Sequence, residues 1–163
     1  IYDKNNIKVF IDYAHTPDAI SKVLSSLKKI TPGRVILVFG CGGERDKSKR
    51  SKMTKEAIKF SDLIIITDDN PRFEDPRKIR NEMIKGIKSN DLNKISIIGN
   101  RYNAIKIAIN KLTDNDSLII AGKGHEDYQI IKNEKIFFSD KKIAKDLLKE
   151  KWVFGHLKKF IPR

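Results

Sequence analysis

Leu63-Ile64-Ile65-Ile66 runs straight into Thr67-Asp68-Asp69-Asn70-Pro71-Arg72, and Asp75-Pro76-Arg77-Lys78-Ile79 follows shortly after. The apolar run reads as a buried strand, and the Asp75-Pro76 stretch reads as a helix start. Two carboxylates, an amide and a guanidinium therefore stand at the carboxyl end of a strand, the edge at which open α/β sheets bind ligands. Pro71 disfavours a helical Asn70 and stiffens the loop. Such a loop can bind an ammonium and a carboxylate at once. Taken alone it is equally a polar turn with Arg72 in solvent, and the neighbouring segments have to decide.

Upstream, Ile7 to Ile11 alternates as a strand and ends in Asp12-Tyr13-Ala14-His15-Thr16-Pro17. Thr16 can cap a helix with Pro17 at its first position, and Ala19, Ile20, Val23, Leu24 and Leu27 then recur at helical spacing. Arg34 to Phe39 is a second strand, apolar enough to be buried on both faces. Gly40-Cys41-Gly42-Gly43-Glu44-Arg45-Asp46-Lys47 follows, then a helix from about Lys49 to Phe60. Downstream of the opening stretch, the spacing predicts a helix over Pro76 to Ile87, a strand over Ile95 to Ile98, and a helix after Asn100-Arg101 carrying Ala104, Ile105, Ile107, Ala108 and Leu112. A strand over Ser117 to Ala121 ends in Gly122-Lys123-Gly124-His125-Glu126-Asp127-Tyr128. A hairpin over Gln129 to Phe138 and a helix capped by Ser139 and running through Leu148 complete the pattern. Strand and helix alternate five times, which implies a parallel sheet covered on both faces. The closing hairpin is expected to supply one antiparallel edge strand, for an α/β sheet of about six strands.

The chain has 163 residues, 39% apolar, enough for one domain with a proper core. Its apolar runs are too short to span a bilayer, and no signal peptide is visible at its start, so it reads as cytoplasmic. It begins with Ile1, which reads as a fragment or a processed chain. A single cysteine fits a reducing compartment. The net charge of +13 raises the possibility of nucleic-acid binding. The lysines are scattered, however (Lys4, Lys28, Lys59, Lys85, Lys106, Lys132, Lys149), so a basic solvated surface is expected and no nucleic-acid partner. That charge still attracts anionic ligands at long range.

Each remaining loop has its own chemistry. Asp12 and His15 could orient an imidazole or hold a phosphate-bound cation, although a local cap and a helix-start turn explain them as well. The three glycines before Arg45 let backbone N–H groups approach an anion, and Arg45 can grip a carboxylate bidentately. That loop matches neither the Walker A pattern nor the dinucleotide fingerprint. Cys41 lacks a ligand partner at useful spacing and reads as a small buried apolar residue, so no metal site is expected. Carbonyls of the Gly122–Tyr128 turn, with Glu126, suit an ammonium. A purely structural account would have to hold for four polar loops on one edge of one sheet.

These residues resemble the C-terminal domain of the Mur ligases. The resemblance rests on DYAHTPD (Asp12 to Asp18), VFGCGGERDKSKR (Val38 to Arg50), TDDNPR with EDP (Thr67 to Arg72, Glu74 to Pro76), AGKGHEDYQ (Ala121 to Gln129) and FSD (Phe138 to Asp140), in order from about Val9 to Leu148. It implies a Rossmann-like three-layer domain over 1–150, a basic tail over 151–163, and UDP-binding and ATPase domains that lie outside this chain. It further implies an ATP-dependent ligase that adds meso-diaminopimelate to UDP-N-acetylmuramoyl-L-alanyl-D-glutamate, with ATP and Mg2+ bound mainly by the central domain. This domain alone is then expected to be inactive.

By the same resemblance, Arg45, Asp69, Asn70, Arg72, Gly122 and Glu126 hold diaminopimelate, while Asp12 and His15 lie on the nucleotide side. Lys47 and Lys123 are weaker candidates, since either could be solvated. Arg72 disfavours a lysine-adding relative, because a site built for a second carboxylate is left unpaired by lysine. Glu44, Ser48 and Ser51 stand where relatives often have Asp, Gly and Pro, and these changes touch loop stiffness rather than the charged groups. Sister Mur ligases, a folate-polyglutamate ligase, a basic α/β module for polyanions and a regulatory fragment remain as alternatives.

Overall fold

The computed structural model describes residues 2–4 and 6–158, with side chains over 6–152. Its element order is β1 (Tyr2–Lys4), β2 (Ile7–Asp12), α1 (Pro17–Ile30), β3 (Val35–Phe39), α2 (Lys49–Phe60), β4 (Leu63–Ile66), α3 (Pro76–Ile84), α4 (Ser89–Leu92), β5 (Ile95–Ile97), α5 (Arg101–Lys111), β6 (Ser117–Ala121), β7 (Tyr128–Ile131), β8 (Glu134–Phe137) and α6 (Asp140–Lys158). Among the described residues the main sheet has six strands in the order β1-β2-β6-β3-β4-β5. All its pairings are parallel except β1 on β2.

The pleat of the central strands builds the three layers. Side chains alternate across a strand, so Val35, Leu37 and Phe39 of β3 face one way and Ile36 and Val38 the other. The first set packs with Leu24 of α1, Met53 and Ala57 of α2, and Ile79 and Met83 of α3. The second packs with Ala104, Ile105 and Ala108 of α5 and Ala144, Leu147 and Leu148 of α6. Both faces of the sheet are therefore covered, as expected for parallel strands joined by helical crossovers.

The helix starts follow local chemistry. Thr16 caps α1, its Oγ1 accepting from the Ala19 N–H at 3.2 Å, with Pro17 in the first turn. Asp75 caps α3 and Asn100 caps α5 in the same way. A single cap of this kind is worth about 1 kcal/mol.

Three expectations need correction. The antiparallel edge strand is β1, not part of the hairpin; β7 and β8 form a separate two-stranded sheet. Ile107 of α5 is 37% exposed rather than packed inward. The last helix continues past Leu148 to Lys158 and takes in the start of the expected tail. Lys151 accounts for part of this: its Nζ donates to the Ile109 and Leu112 carbonyls, each at 2.7 Å, satisfying the open C-terminal end of α5. The tail over 159–163 lies outside the described residues.

Because β2, β3, β4 and β6 run parallel, their carboxyl ends share one edge. The loops there are laced by backbone bonds. The Gly122 and Gly124 N–H groups donate to the Asp12 carbonyl, Thr67 N–H to Phe39 O, and Gly43 N–H to Asn70 O.

Candidate functional site

A cleft of about 340 Å³ opens at this edge, and seven of the expected residues line it: His15, Arg45, Asp69, Asn70, Arg72, Gly122 and Glu126. Tyr13, Lys49, Met53 and the Gly40-Cys41-Gly42 turn complete the wall. Three other candidates stand outside the lining. The Asp12 carboxylate accepts the Ala14 N–H at 2.7 Å and so serves its own turn. Lys47 is exposed and lies 3.5 Å from Glu74. Lys123, expected to be solvated if it was not a ligand, is instead fully buried behind the cleft.

The loop over Asp69 to Arg72 is held by the hairpin. Asn70 Oδ1 accepts the Ile130 N–H at 2.9 Å, Arg72 N–H donates to Ile130 O, and Lys132 N–H donates to Arg72 O. Gln129 Nε2 donates to the Asp69 carbonyl. These bonds hold Arg72 at φ +52°, in the left-handed region, a conformation that costs about 1–3 kcal/mol in a non-glycine residue and persists only where the surroundings over-determine it. Arg72 Nη1 donates to Gly43 O at 2.8 Å and lies 3.4 Å from Asn70 O. A guanidinium has five N–H donors, so these contacts fix the fork without exhausting it.

The glycine loop lies flat against the same segment. A Cβ on Gly43 would come within 1.9 Å of the Pro71 carbonyl oxygen, so only glycine permits this approach. Gly122 sits at φ +108°, with its Cα facing Asp69. Arg50, buried at the start of α2, bonds Glu74, Glu82 and the Gly42 carbonyl, tying the glycine loop to the residue before the α3 cap and to the last turn of α3. Its guanidinium, helped by the Glu44 N–H, holds the Glu74 carboxyl down at about 2.

Arg101 plays the corresponding part on the other side. It is buried, donates to both oxygens of Asp140 (2.8 and 2.7 Å) and to the Ala121 carbonyl (3.0 Å), and so joins α5, α6 and the end of β6. Burial pushes the Asp68 carboxyl up, with the ion pair to Arg80 working against that shift. Burial also pushes the Cys41 thiol up to about 12, in keeping with an inert wall residue.

Arg50, Arg101 and the buried state of Lys123 were missed by reasoning from sequence, as were Tyr13 and Lys49 as wall residues. Tyr13, Lys49 and Arg50 lie inside the stretches quoted for the family resemblance, and that was the available signal. Tyr13 stands at the mouth of the cleft between two imidazoles, edge-on to His15 at 4.8 Å and stacked on His125 at 5.6 Å.

The wall carries both signs of charge. Arg45, Arg72 and Lys49 can take carboxylates, and Asp69 and Glu126 can take ammonium groups. A zwitterion with separated ends suits this arrangement better than a simple anion does. Among the described residues, no group of three or more His, Cys, Asp and Glu side chains converges as a metal site. No described helix is long and apolar enough to cross a membrane.

The family model described as "Mur ligase, glutamate ligase domain" matches residues 1–124. The UDP-N-acetylmuramoyl-L-alanyl-D-glutamate--2,6-diaminopimelate ligase of Rickettsia rickettsii is 51% identical over 147 residues, covering 89% of this chain and 30% of the relative. The ligase of the same name from Prochlorococcus marinus subsp. pastoris is 51% identical over 143 residues, covering 88% of this chain and 28% of the relative. A solved structure of a ligase of that name superposes with a TM-score of 0.87 at 38% identity, over 93% of this chain and 31% of its own length. The chain thus spans about 30% of the length of the curated relatives it matches. The doubly covered parallel sheet, the charged cleft at its carboxyl edge and the family match agree: this chain belongs to the Mur ligase family, as its glutamate ligase domain.

Proposed function

We propose that residues 1–150 form the amino-acid-binding C-terminal domain of an ATP-dependent, cytoplasmic ligase. This ligase joins meso-diaminopimelate to UDP-N-acetylmuramoyl-L-alanyl-D-glutamate in peptidoglycan synthesis. The observation that carries this reading is the meeting of Arg45 and Arg72 with Asp69 and Glu126 in one cleft. Diaminopimelate has a carboxylate and an ammonium at each end, and lysine lacks the second carboxylate. The names of relatives 51% identical to the chain support the same substrate.

In that reaction the glutamate carboxylate of the acceptor is activated by phosphoryl transfer from ATP. The amine of diaminopimelate then displaces phosphate and an amide bond forms. The glycine loop matches no Walker A pattern. ATP and Mg2+ are assigned mainly to the enzyme's other domains, with Asp12 and His15 on the nucleotide side of this one.

The work of this domain is positioning. Arg72 and Asn70 bind the distal end of the amino acid, Arg45 grips a carboxylate, and the Gly122 carbonyl with Glu126 receives the distal ammonium. Holding the amine in line with the acyl carbon converts a bimolecular attack into an effectively unimolecular one. Closure of the domain over the nucleotide also excludes water from the activated acyl group.

The test is phosphate release by the full-length parent protein with ATP, Mg2+ and the UDP-linked dipeptide, given meso-diaminopimelate or L-lysine in parallel. Release only with diaminopimelate is expected. Release with lysine overturns the pocket reading, and release with neither overturns the ligase assignment.

A further inference from the structure

Lys123 lines no part of the cleft, and no part of its side chain is exposed. Its Nζ donates to Asn70 Oδ1 at 2.9 Å and to the Tyr128 carbonyl at 2.8 Å. It also makes an ion-pair contact with Asp69 Oδ1 at 2.9 Å, off the axis of a hydrogen bond. An ammonium carries three N–H donors and no acceptor; here two hydrogen bonds go to Asn70 and the start of the hairpin, and the charge faces the Asp69 carboxylate.

Asn70 Oδ1 is saturated as well. It takes Lys123 Nζ on one side and the Ile130 N–H on the other, both at 2.9 Å. A carbonyl oxygen has two lone pairs. Turning the amide over would set an NH2 group against an ammonium and a backbone N–H at once. The orientation is therefore forced, with the oxygen inward and Nδ2 outward, 3.4 Å from Glu126 Oε2. Asn70 can offer the cleft donors only. The side-chain acceptors there are carboxylates, with Glu126 met by that same Nδ2 and Asp69 by the ammonium.

We propose that Lys123 is a positioning residue for amino-acid selection. Together with the Ile130 N–H it fixes the polarity of Asn70, and it holds Asp69 in place, so it helps set which wall of the cleft takes a carboxylate and which takes an ammonium. It acts through these two residues and touches no substrate. The inference rests on the ligase reading above and adds to it the group that sets the donor–acceptor pattern. Without the ammonium, Asn70 Oδ1 keeps only the Ile130 N–H and Asp69 loses its buried counter-charge, so each loses a contact that fixes its place in the wall. The polar groups of the cleft are then less firmly placed for one orientation of a zwitterion, and Asn70 Oδ1 and the Tyr128 carbonyl each lose a donor, a loss that is costly in a desolvated site.

The experiment uses the full-length parent protein and steady-state phosphate release, varying meso-diaminopimelate and ATP separately. Lys123→Met removes the ammonium at similar length. Asn70→Asp keeps the acceptor that Lys123 and Ile130 use and replaces only the outward donor, so it tests the same polarity with the buried lysine still paired. Each variant is expected to raise the KM for meso-diaminopimelate roughly tenfold or more, with the KM for ATP within about twofold. Asn70→Ala is measured alone and combined with Lys123→Met, and the double variant should be no worse than the poorer of these two single variants, since the two act as a unit.

An unchanged KM for diaminopimelate in Lys123→Met overturns the inference, as does an additive double variant. A fall in kcat and melting temperature with both KM values intact also overturns it, because that is the signature of a merely structural lysine. Should Lys123→Met fail to fold, Lys123→Gln, which keeps a donor without the charge, is measured in its place, and an unchanged KM for diaminopimelate there overturns the inference. If wild-type release depends on diaminopimelate and Lys123→Met matches wild type, only the role of Lys123 falls. If wild-type release ignores the amino acid, the ligase reading falls and takes this inference with it.

Discussion

The two terminal nitrogens of Arg50 each donate to a different oxygen of Glu74, both at 3.0 Å. Bidentate, charge-assisted pairs of this kind are among the stronger polar contacts in proteins. This one joins the first turn of α2 to the residue just before the α3 cap, and so clamps the glycine loop onto the segment that carries Asn70 and Arg72.

The clamp makes stability depend on acid. Glu74 titrates at about 2 in the fold against an ordinary value of 4.5. Its folded value is depressed, so its contribution is fully present above about pH 4.5 and is lost as pH falls through about 2. Glu74→Gln should therefore lower the melting temperature at neutral pH, and the gap to wild type should close between about pH 4.5 and 2. A gap that stays constant across that window would contradict the pairing.

Arg101 and Asp140 are both fully buried, and each is the other's charge partner. Removing one leaves the other charge buried alone, which costs about 3–5 kcal/mol. Arg101→Met should show this loss in urea unfolding, and adding Asp140→Leu should recover a large part of it. A loss below about 1 kcal/mol for the single variant would mean that the pair is not sealed from solvent.

Cys41 is buried, with its thiol pushed up to about 12. The thiolate is the reactive form. The folded protein should therefore resist a thiol-specific reagent at pH 8 and react fully once unfolded in denaturant. Rapid modification of the native form would show that the wall of the cleft opens at Cys41.

Much of this fold was legible because the central strands are short apolar runs and the helices recur at helical spacing. Thr16-Pro17 and Ser139 marked helix starts through local chemistry alone. The edge strand β1 was not legible: three residues, two of them charged, give no periodic signal. The hairpin was read correctly as a hairpin but assigned to the wrong sheet, since register with distant strands is not a local property.

The charged residues of the cleft were found through their resemblance to a family pattern and their position at strand ends. The charges that frame it were not, because an arginine at the surface and one in the core look alike in sequence. Arg50 is buried by partners 24 and 32 residues away, and Arg101 by one 39 residues away. Lys123 sits in a glycine turn, where a solvated lysine is the ordinary outcome.

Glycine at position 43 is required by close approach, not by an unusual φ. Gly43→Ala would drive a Cβ into the Pro71 carbonyl and separate the loop from Arg72. The full-length parent should keep its affinity for ATP and lose affinity for diaminopimelate by roughly tenfold or more, read as a KM split. Equal loss for both substrates would mean that the loop serves the nucleotide as well.

The most direct test of the account is the ratio of kcat/KM for meso-diaminopimelate to that for L-lysine, measured in the full-length parent protein with and without Arg72→Ala. A site built around the second carboxylate predicts a wild-type ratio of roughly a thousandfold or more. In the variant that ratio should collapse toward one, through loss of the diaminopimelate rate rather than gain of the lysine rate. A ratio that survives the substitution would contradict the assignment of Arg72 as the residue that reads the distal carboxylate.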